Sequence, residues 1–223
     1  NGTQAQGVLG INVDDDTPTL NLALEVNDEQ LGGLSVVLDE SVGADRGADA
    51  NGNDDDAPAA LGQVTTSLEG GLSSLFVDLD GGYGADGPGT TTGVLSFVPF
   101  PDGVGLSTNL LAVDGGAITL EYTSATLLSG VDEDGNTVFT IEIVGGQLQT
   151  TLFEALVHPD NGAFDEAVPL HLVDDGSVQL QYTVTRVDFD GDSVTDSATV
   201  DLITHTSGNG EDSQGSDTSY FRS

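Results

Sequence analysis

The chain has no cysteine, no methionine, no tryptophan and no lysine, and its only permanent cations are Arg46, Arg186 and Arg222. Without cysteine, disulfides, thiol catalysis and cysteine-based zinc sites are excluded together. Any staple must be packing or a metal held through oxygen. With so few basic residues the chain cannot neutralise phosphates, which excludes nucleic acid and anionic membrane surfaces as partners. No apolar run approaches the roughly 20 residues of a transmembrane helix, so no membrane insertion is expected, and no signal peptide opens the sequence. A start without Met and a polar end lead us to expect a piece of a larger protein.

Against those absences stand 38 acidic residues in 223, for a formal net charge of -35, and a hydrophobic fraction of 37%. Disorder needs low hydrophobicity as well as high charge, so this chain can bury a core. Its self-repulsion nevertheless opposes compaction unless something cationic joins the fold, and the same repulsion makes a monomer the expected state. Aspartate outnumbers glutamate, which suits loops that coordinate oxygen-seeking cations better than it suits helices.

Strand signals dominate. In TLNLALEV (19–26), Leu20, Leu22, Leu24 and Val26 share one face, and in VQLQYTVTRV (178–187), Val178, Leu180, Tyr182 and Val184 alternate with polar residues. Further strands are predicted at 34–38, 72–79, 94–98, 117–122, 138–143, 147–153 and 198–204, with Gly/Asp turns between them. The expected fold class is all-β, a β-sandwich of about nine strands with little helix that, given the acid excess, we expect to be calcium-stabilised. Residues 1–206 form a single module, with 44–60 a long acidic loop or insertion site and 207–223 a polar tail or linker.

The sharpest motif is DFDGDSVTD (188–196). It places Asp188, Asp190, Asp192 and Asp196 at positions 1, 3, 5 and 9, a spacing by which a turning backbone wraps one calcium. Gly191 falls at position 4 and Thr199 at position 12, so the motif reads as a strand-to-strand calcium turn and not an EF-hand, the alternative being a solvated acidic hairpin. DEDGN repeats the grammar with Asp132, Asp134 and Asn136, where an ordinary hairpin turn competes with calcium. The run Asp14, Asp15 and Asp16 before Pro18 reads as a junction site for a divalent ion. Asp28 and Glu29 place carboxylates after the first strand, as ligands or as exposed strand-end acids. GYGADGPG (82–89) needs backbone freedom more than chemistry.

Nothing here points to an enzyme. His158, His171 and His205 show no HxH or HExxH spacing and read as structural or exposed, and no serine sits in a GxSxG elbow.

In order, the segments DDDTPTL (14–20), VNDEQL (26–31), YGADGPGTTT (83–92), DGNTVFTI (134–141), ALVHPDNG with DEAV (155–162, 165–168) and VTRVDFDGDSVTDSATVDL (184–202) resemble the long repeat domains of bacterial RTX adhesins exported by type I secretion. The likeness runs from about residue 14 to 202, and its specific part is the HPD and DFDGDS segments in this order. It implies a secreted module at the bacterial cell surface that partners neighbouring modules of the same adhesin and supports attachment and biofilm formation. A distal, ligand-binding copy that engages a host or cell-surface glycan or peptide through calcium is the alternative. The stretch 34–62 is longer and more acidic than that pattern, and the GGxGxDxUx nonapeptides of the calcium β-roll are missing from the sequence.

Overall fold

Alternating apolar residues run along the two longest strands, and the turn that joins them carries the site. The computed structural model describes residues 15–26, 30, 61–157 and 170–204. Within them lie strands β1 (Leu22–Leu24), β2 (Gly62–Thr65), β3 (Phe76–Asp78), β4 (Pro88–Phe97), β5 (Leu106–Ala112), β6 (Gly116–Ser124), β7 (Leu127–Val131), β8 (Thr137–Val144), β9 (Gln147–Leu152), β10 (Ser177–Asp188) and β11 (Ser193–Thr204). Two short 3-10 segments, Leu72–Leu75 and Pro101–Gly103, interrupt them. The strand expected at 34–38, the acidic loop at 44–60 and the tail at 207–223 lie outside the described residues.

The strands form a six-stranded sheet in the order β2-β9-β8-β7-β6-β5, a three-stranded sheet in the order β11-β10-β4, and the small pair β1-β3. All of these pairings are antiparallel. Leu120, Leu128, Ile141 and Leu148 of the larger sheet share one apolar core with Phe97, Val178, Leu180 and Val200 of the smaller. The result is the expected all-β sandwich, with each buried leucine or valine contributing about 1.5–3 kcal/mol. The outer edge of β5 is covered, since Val157 donates to Leu111 O at 2.8 Å and Val173 donates to Ser107 O at 2.9 Å. Leu172 in turn donates to Thr204 O at 3.2 Å, which links that edge to the end of β11.

Three local readings change. Residues 72–79 are not one strand, because Leu72 and Leu75, both fully buried, are spaced three apart and share one side of a 3-10 turn before β3 begins. Strand β1 is only three residues long, because its partner β3 is equally short and the 3-10 turn then bends the chain away. Leu24 is therefore exposed, while Leu22 and Val26 pack on the core. Strands β2, β5 and β7 carry too much serine, threonine, asparagine or glycine for their alternation to stand out.

In β10 the inward face continues past the apolar residues. Val178, Leu180 and Val184 are buried, Tyr182 is half-buried with its ring 5.5 Å from that of Phe76, and the same even-numbered register carries Arg186 and then Asp188. One end of the sandwich interior is thus polar.

Candidate metal centre

Asp188 is the last residue of β10 and only 3% exposed, and its carboxylate is used unevenly. Oδ1 accepts the backbone N–H of Gly191 at 3.1 Å and of Asp192 at 2.8 Å. Oδ2 is buried and has no hydrogen-bond partner. A buried carboxylate oxygen left unpaired is costly, so either a proton or a cation is required there. Gly191 makes the turn possible with φ of 111°, and Asp188 N–H closes it by donating to Asp192 O at 3.0 Å.

Asp190 and Asp192 complete a group with Asp188 in which one ligand atom from each lies within 4.8 Å of the others. Two oxygens bound to one calcium at 2.6 Å are at most about 5.2 Å apart, so the group fits that ion, and an all-oxygen donor set selects a hard cation over a soft one. Sharing of a hydrogen bond with Asp188, loss of solvent and the charges of Asp188 and Asp15 together hold the carboxyl of Asp190 above its ordinary value. Crowded carboxylates in this state bind either protons or a divalent ion. A calcium ion here would be held by Asp188, Asp190 and Asp192, and it would supply the positive charge that the chain lacks.

The second turn is a close copy with one change. In Asp132–Asn136 the first aspartate is again buried, Gly135 takes a φ of 88°, Asn136 N–H donates to Asp132 Oδ1 at 2.7 Å, and Asp132 N–H donates to Asn136 O at 3.0 Å. Here the fifth residue is asparagine, and its side-chain amide donates to Asp132 Oδ2 at 3.1 Å. Burial pushes the Asp132 carboxyl up, but donors from the Asn136 backbone and side chain and from the Asp134 and Gly135 backbones outweigh it, and the pKa lies below the ordinary value. This turn is self-satisfied, Asp134 is exposed at its tip, and neither aspartate falls in a metal-sized group among the described residues.

The structure distributes the other sequence-predicted residues differently. Asp196 does not join Asp188. Its Oδ2 accepts the N–H of Leu22 at 2.8 Å and its Oδ1 accepts that of Ser197 at 2.8 Å, which anchors β1 to β11. In a helical calcium loop position 9 curls back to the ion, but here the chain has already entered an extended strand, which carries Asp196 about 13 Å beyond Asp192. Asp16 Oδ2 accepts the N–H of Ala85 at 2.8 Å. Asp15 meets Asp86 and Asp190 in a second group of exposed carboxylates whose ligand atoms lie within 4.8 Å of one another. Asp86 was not anticipated, because nothing in the sequence brings the 82–89 loop to the 188–192 turn. Asp14, Asp28, Glu29, His158 and His205 lie outside the described residues. His171 is not in a metal-sized group, and partial burial lowers its pKa.

Arg186 locks this pole together. Its Nη2 donates to Asp78 Oδ2 at 2.7 Å and its Nη1 to Thr19 O at 2.6 Å, while the guanidinium sits 5.2 Å from the ring centre of Tyr83. Among the described residues no helix is long and apolar enough to cross a membrane.

No curated protein and no solved structure matches the chain. One family model, described as a domain of unknown function (DUF5801), matches residues 35–202, a stretch that takes in both aspartate turns and most of the two larger sheets, and the chain belongs to that family.

Proposed function

We propose that the chain is a non-enzymatic, calcium-binding structural module of a large secreted bacterial adhesin of the RTX type, one of several that hold the attachment site away from the cell and support biofilm formation. The observation that carries this reading is Oδ2 of Asp188, buried and unpartnered inside a carboxylate group on a chain of net charge -35. Calcium is the ion of choice because the donors are all oxygens and because extracellular modules bind it at about 10⁻⁴–10⁻³ M, a concentration met outside cells and not in cytosol. Carboxylates that repel one another in the metal-free chain become ligands, so export unfolded and folding outside follow from the same chemistry. The module's partners are its neighbours in the parent protein.

Thermal melts in EDTA and in millimolar calcium test this reading. Calcium at ten times its Kd stabilises by about 1.4 kcal/mol per site, which for a domain of this size is a rise in Tm of roughly 3–6 °C per site. An unchanged Tm would sink the proposal.

One observation favours a second reading, a calcium-dependent glycan- or peptide-binding module. Phe189 stands between Asp188 and Asp190, its side chain is 79% exposed, and its backbone is fixed by donation to Gly87 O at 3.2 Å. Two other loop aromatics, Phe100 and Tyr83, are less suited to that role. Phe100 is buried, Tyr83 bonds Thr91 and is capped by Arg186, and Phe164 lies outside the described residues. Calcium-dependent glycan-array binding that is lost in Phe189→Ser would select the second reading.

A further inference from the structure

The strand that ends at Asp188 begins at a cleft. Ser177 and Gln179, at the start of β10, line an opening of about 300 Å³ at the end of that strand away from the aspartate turn. Val98 donates its N–H to Gln179 O at 2.9 Å and leads the chain into Pro99, Phe100 and Pro101, which with Leu106 form an apolar wall. Neither proline has an N–H to offer. The polar side is made by Asp175, Ser177 and Gln179, and the Gln179 amide nitrogen is already donated to Asp201 Oδ1 at 2.8 Å, which leaves its carbonyl oxygen as the acceptor. No side chain fills the floor at Gly176, where a Cβ would meet nothing closer than Leu106 Cδ2 and Leu172 Cδ1 at 3.9 Å.

A cleft with apolar walls and acceptors at its edge takes a group that is apolar along its length and carries donors at its tip. Charge selects among such groups. Asp175 and its neighbour Asp174 are exposed on a chain of net charge -35, and Arg186, the one Lys or Arg among the described residues, lies near the far end of β10, about 30 Å along the strand. The described fold therefore supplies no cation to this cleft. We infer that it is a docking site for a lysine or arginine side chain of a partner protein, with the stem against Pro99, Phe100 and Pro101 and the head group at the Asp175 carboxylate and the Gln179 carbonyl. This goes beyond the calcium reading and is independent of it, because the cleft has a single carboxylate residue in its lining, too few to hold calcium. The field of the polyanion steers a basic partner towards it.

The test is titration of the calcium-loaded full chain with N-acetyl-arginine amide and N-acetyl-lysine amide, read by backbone amide NMR shifts, with uncharged N-acetyl-citrulline amide as comparator. The cationic probes are expected to shift Gly176, Ser177 and Gln179 saturably, and the citrulline probe to bind at least about tenfold more weakly. Asp175→Asn, at an exposed position outside the strands, is expected to weaken the cationic probes about fivefold. Gly176→Leu, which fills the floor and leaves the charge unchanged, is expected to abolish their binding. Neither change touches the aspartate turn, so the calcium-dependent rise in Tm persists in both variants and the two readings fail separately. Shifts scattered over exposed carboxylates throughout the molecule, undiminished in Gly176→Leu, would mean a bulk counterion effect and overturn the inference. So would a native chain that gives no saturable shift with either probe, and recovery of binding in Arg222→Ala would then give the cleft to the chain's own arginine.

Discussion

The side-chain amide of Asn136 donates to Asp132 Oδ2 at 3.1 Å, closing a turn whose counterpart at 188–192 ends in an aspartate with no proton to offer. The two turns otherwise share a buried first aspartate, a glycine with positive φ and the same pair of backbone hydrogen bonds. One is complete by itself, and the other is complete with a cation. Exchange of the fifth residue between the turns therefore isolates the cation's role.

Asp192→Asn is expected to copy the self-satisfied turn. Its amide reaches Asp188 Oδ2, the metal-free protein gains about 1–2 kcal/mol, and the difference between melts in EDTA and in calcium shrinks. The reverse change, Asn136→Asp, should lower the Tm in EDTA, because it removes the amide from Asp132 Oδ2 and sets a second negative charge beside it, and calcium should restore part of the loss. Identical EDTA melts for the native chain and both variants would contradict the comparison.

Arg186 is the one Lys or Arg among the described residues, and it satisfies Asp78, the Thr19 carbonyl and the Tyr83 ring face at once. Gly81 makes room for this, because a Cβ there would overlap both Asp78 Oδ2 and Arg186 Nη1. Arg186→Ala should cost about 2–3 kcal/mol in urea unfolding, since the pair is largely but not fully withdrawn from water. Arg186→Lys should recover less than half, lacking the planar fork. A loss under about 0.5 kcal/mol for the alanine variant would mark the pair as ornamental.

Acid should remove the contributions of two named carboxylates. Burial raises the Asp78 carboxyl, but the Arg186 hydrogen bond and charge and the N–H groups of Asn21 and Asp80 more than offset it, so its folded pKa lies below 3.8, and that of Asp132 lies below 3.8 for the reasons given. For a depressed folded pKa, the contribution is fully present above 3.8 and is lost as pH falls through the lower folded value. The contribution of these two carboxylates to the urea midpoint should therefore shrink as pH drops below about 4, read for Asp132 as the difference between the native chain and Asp132→Asn. A difference that stays constant with pH would remove Asp132 from the account.

Within the larger sheet, Gly130 faces Phe139 directly across β7 and β8, and a Cβ on Gly130 would lie 2.3 Å from the Phe139 ring. Phe139 is fully buried, so it cannot swing away, and Gly130→Ala should cost about 1–3 kcal/mol by overpacking. Gly145→Ala, a turn glycine with open space around its Cβ position and φ of 58°, should cost less.

Much of the sandwich was legible because alternation is a property of neighbours in sequence. Residues 178–187 and 138–143 each carry their face in their own pattern, and they became β10 and most of β8. Strand β7 was hidden because Ser129 and Gly130 blur its apolar face, and Gly130 is there only to admit Phe139 from the next strand. The inner carboxylates were legible because they lie within one turn. Asp196 was misplaced for the same local reason, since spacing alone does not say that the chain straightens after Asp192. Asp86 was illegible, because its meeting with Asp15 and Asp190 is made by β1, β4 and β10 converging at one pole. The partners of Arg186 were hidden likewise, since Asp78, the Thr19 carbonyl and the Tyr83 ring come to it from a separate sheet and its flanking loops.

A crystal of the full chain grown in calcium chloride, with anomalous data collected at long wavelength, asks directly what accompanies Asp188 Oδ2. The account predicts an anomalous peak about 2.3–2.6 Å from that oxygen, shared with Asp190 and Asp192. A map showing Asp188 Oδ2 bonded to a water or to a protonated Asp190 carboxyl, with no anomalous peak in the turn, would contradict it.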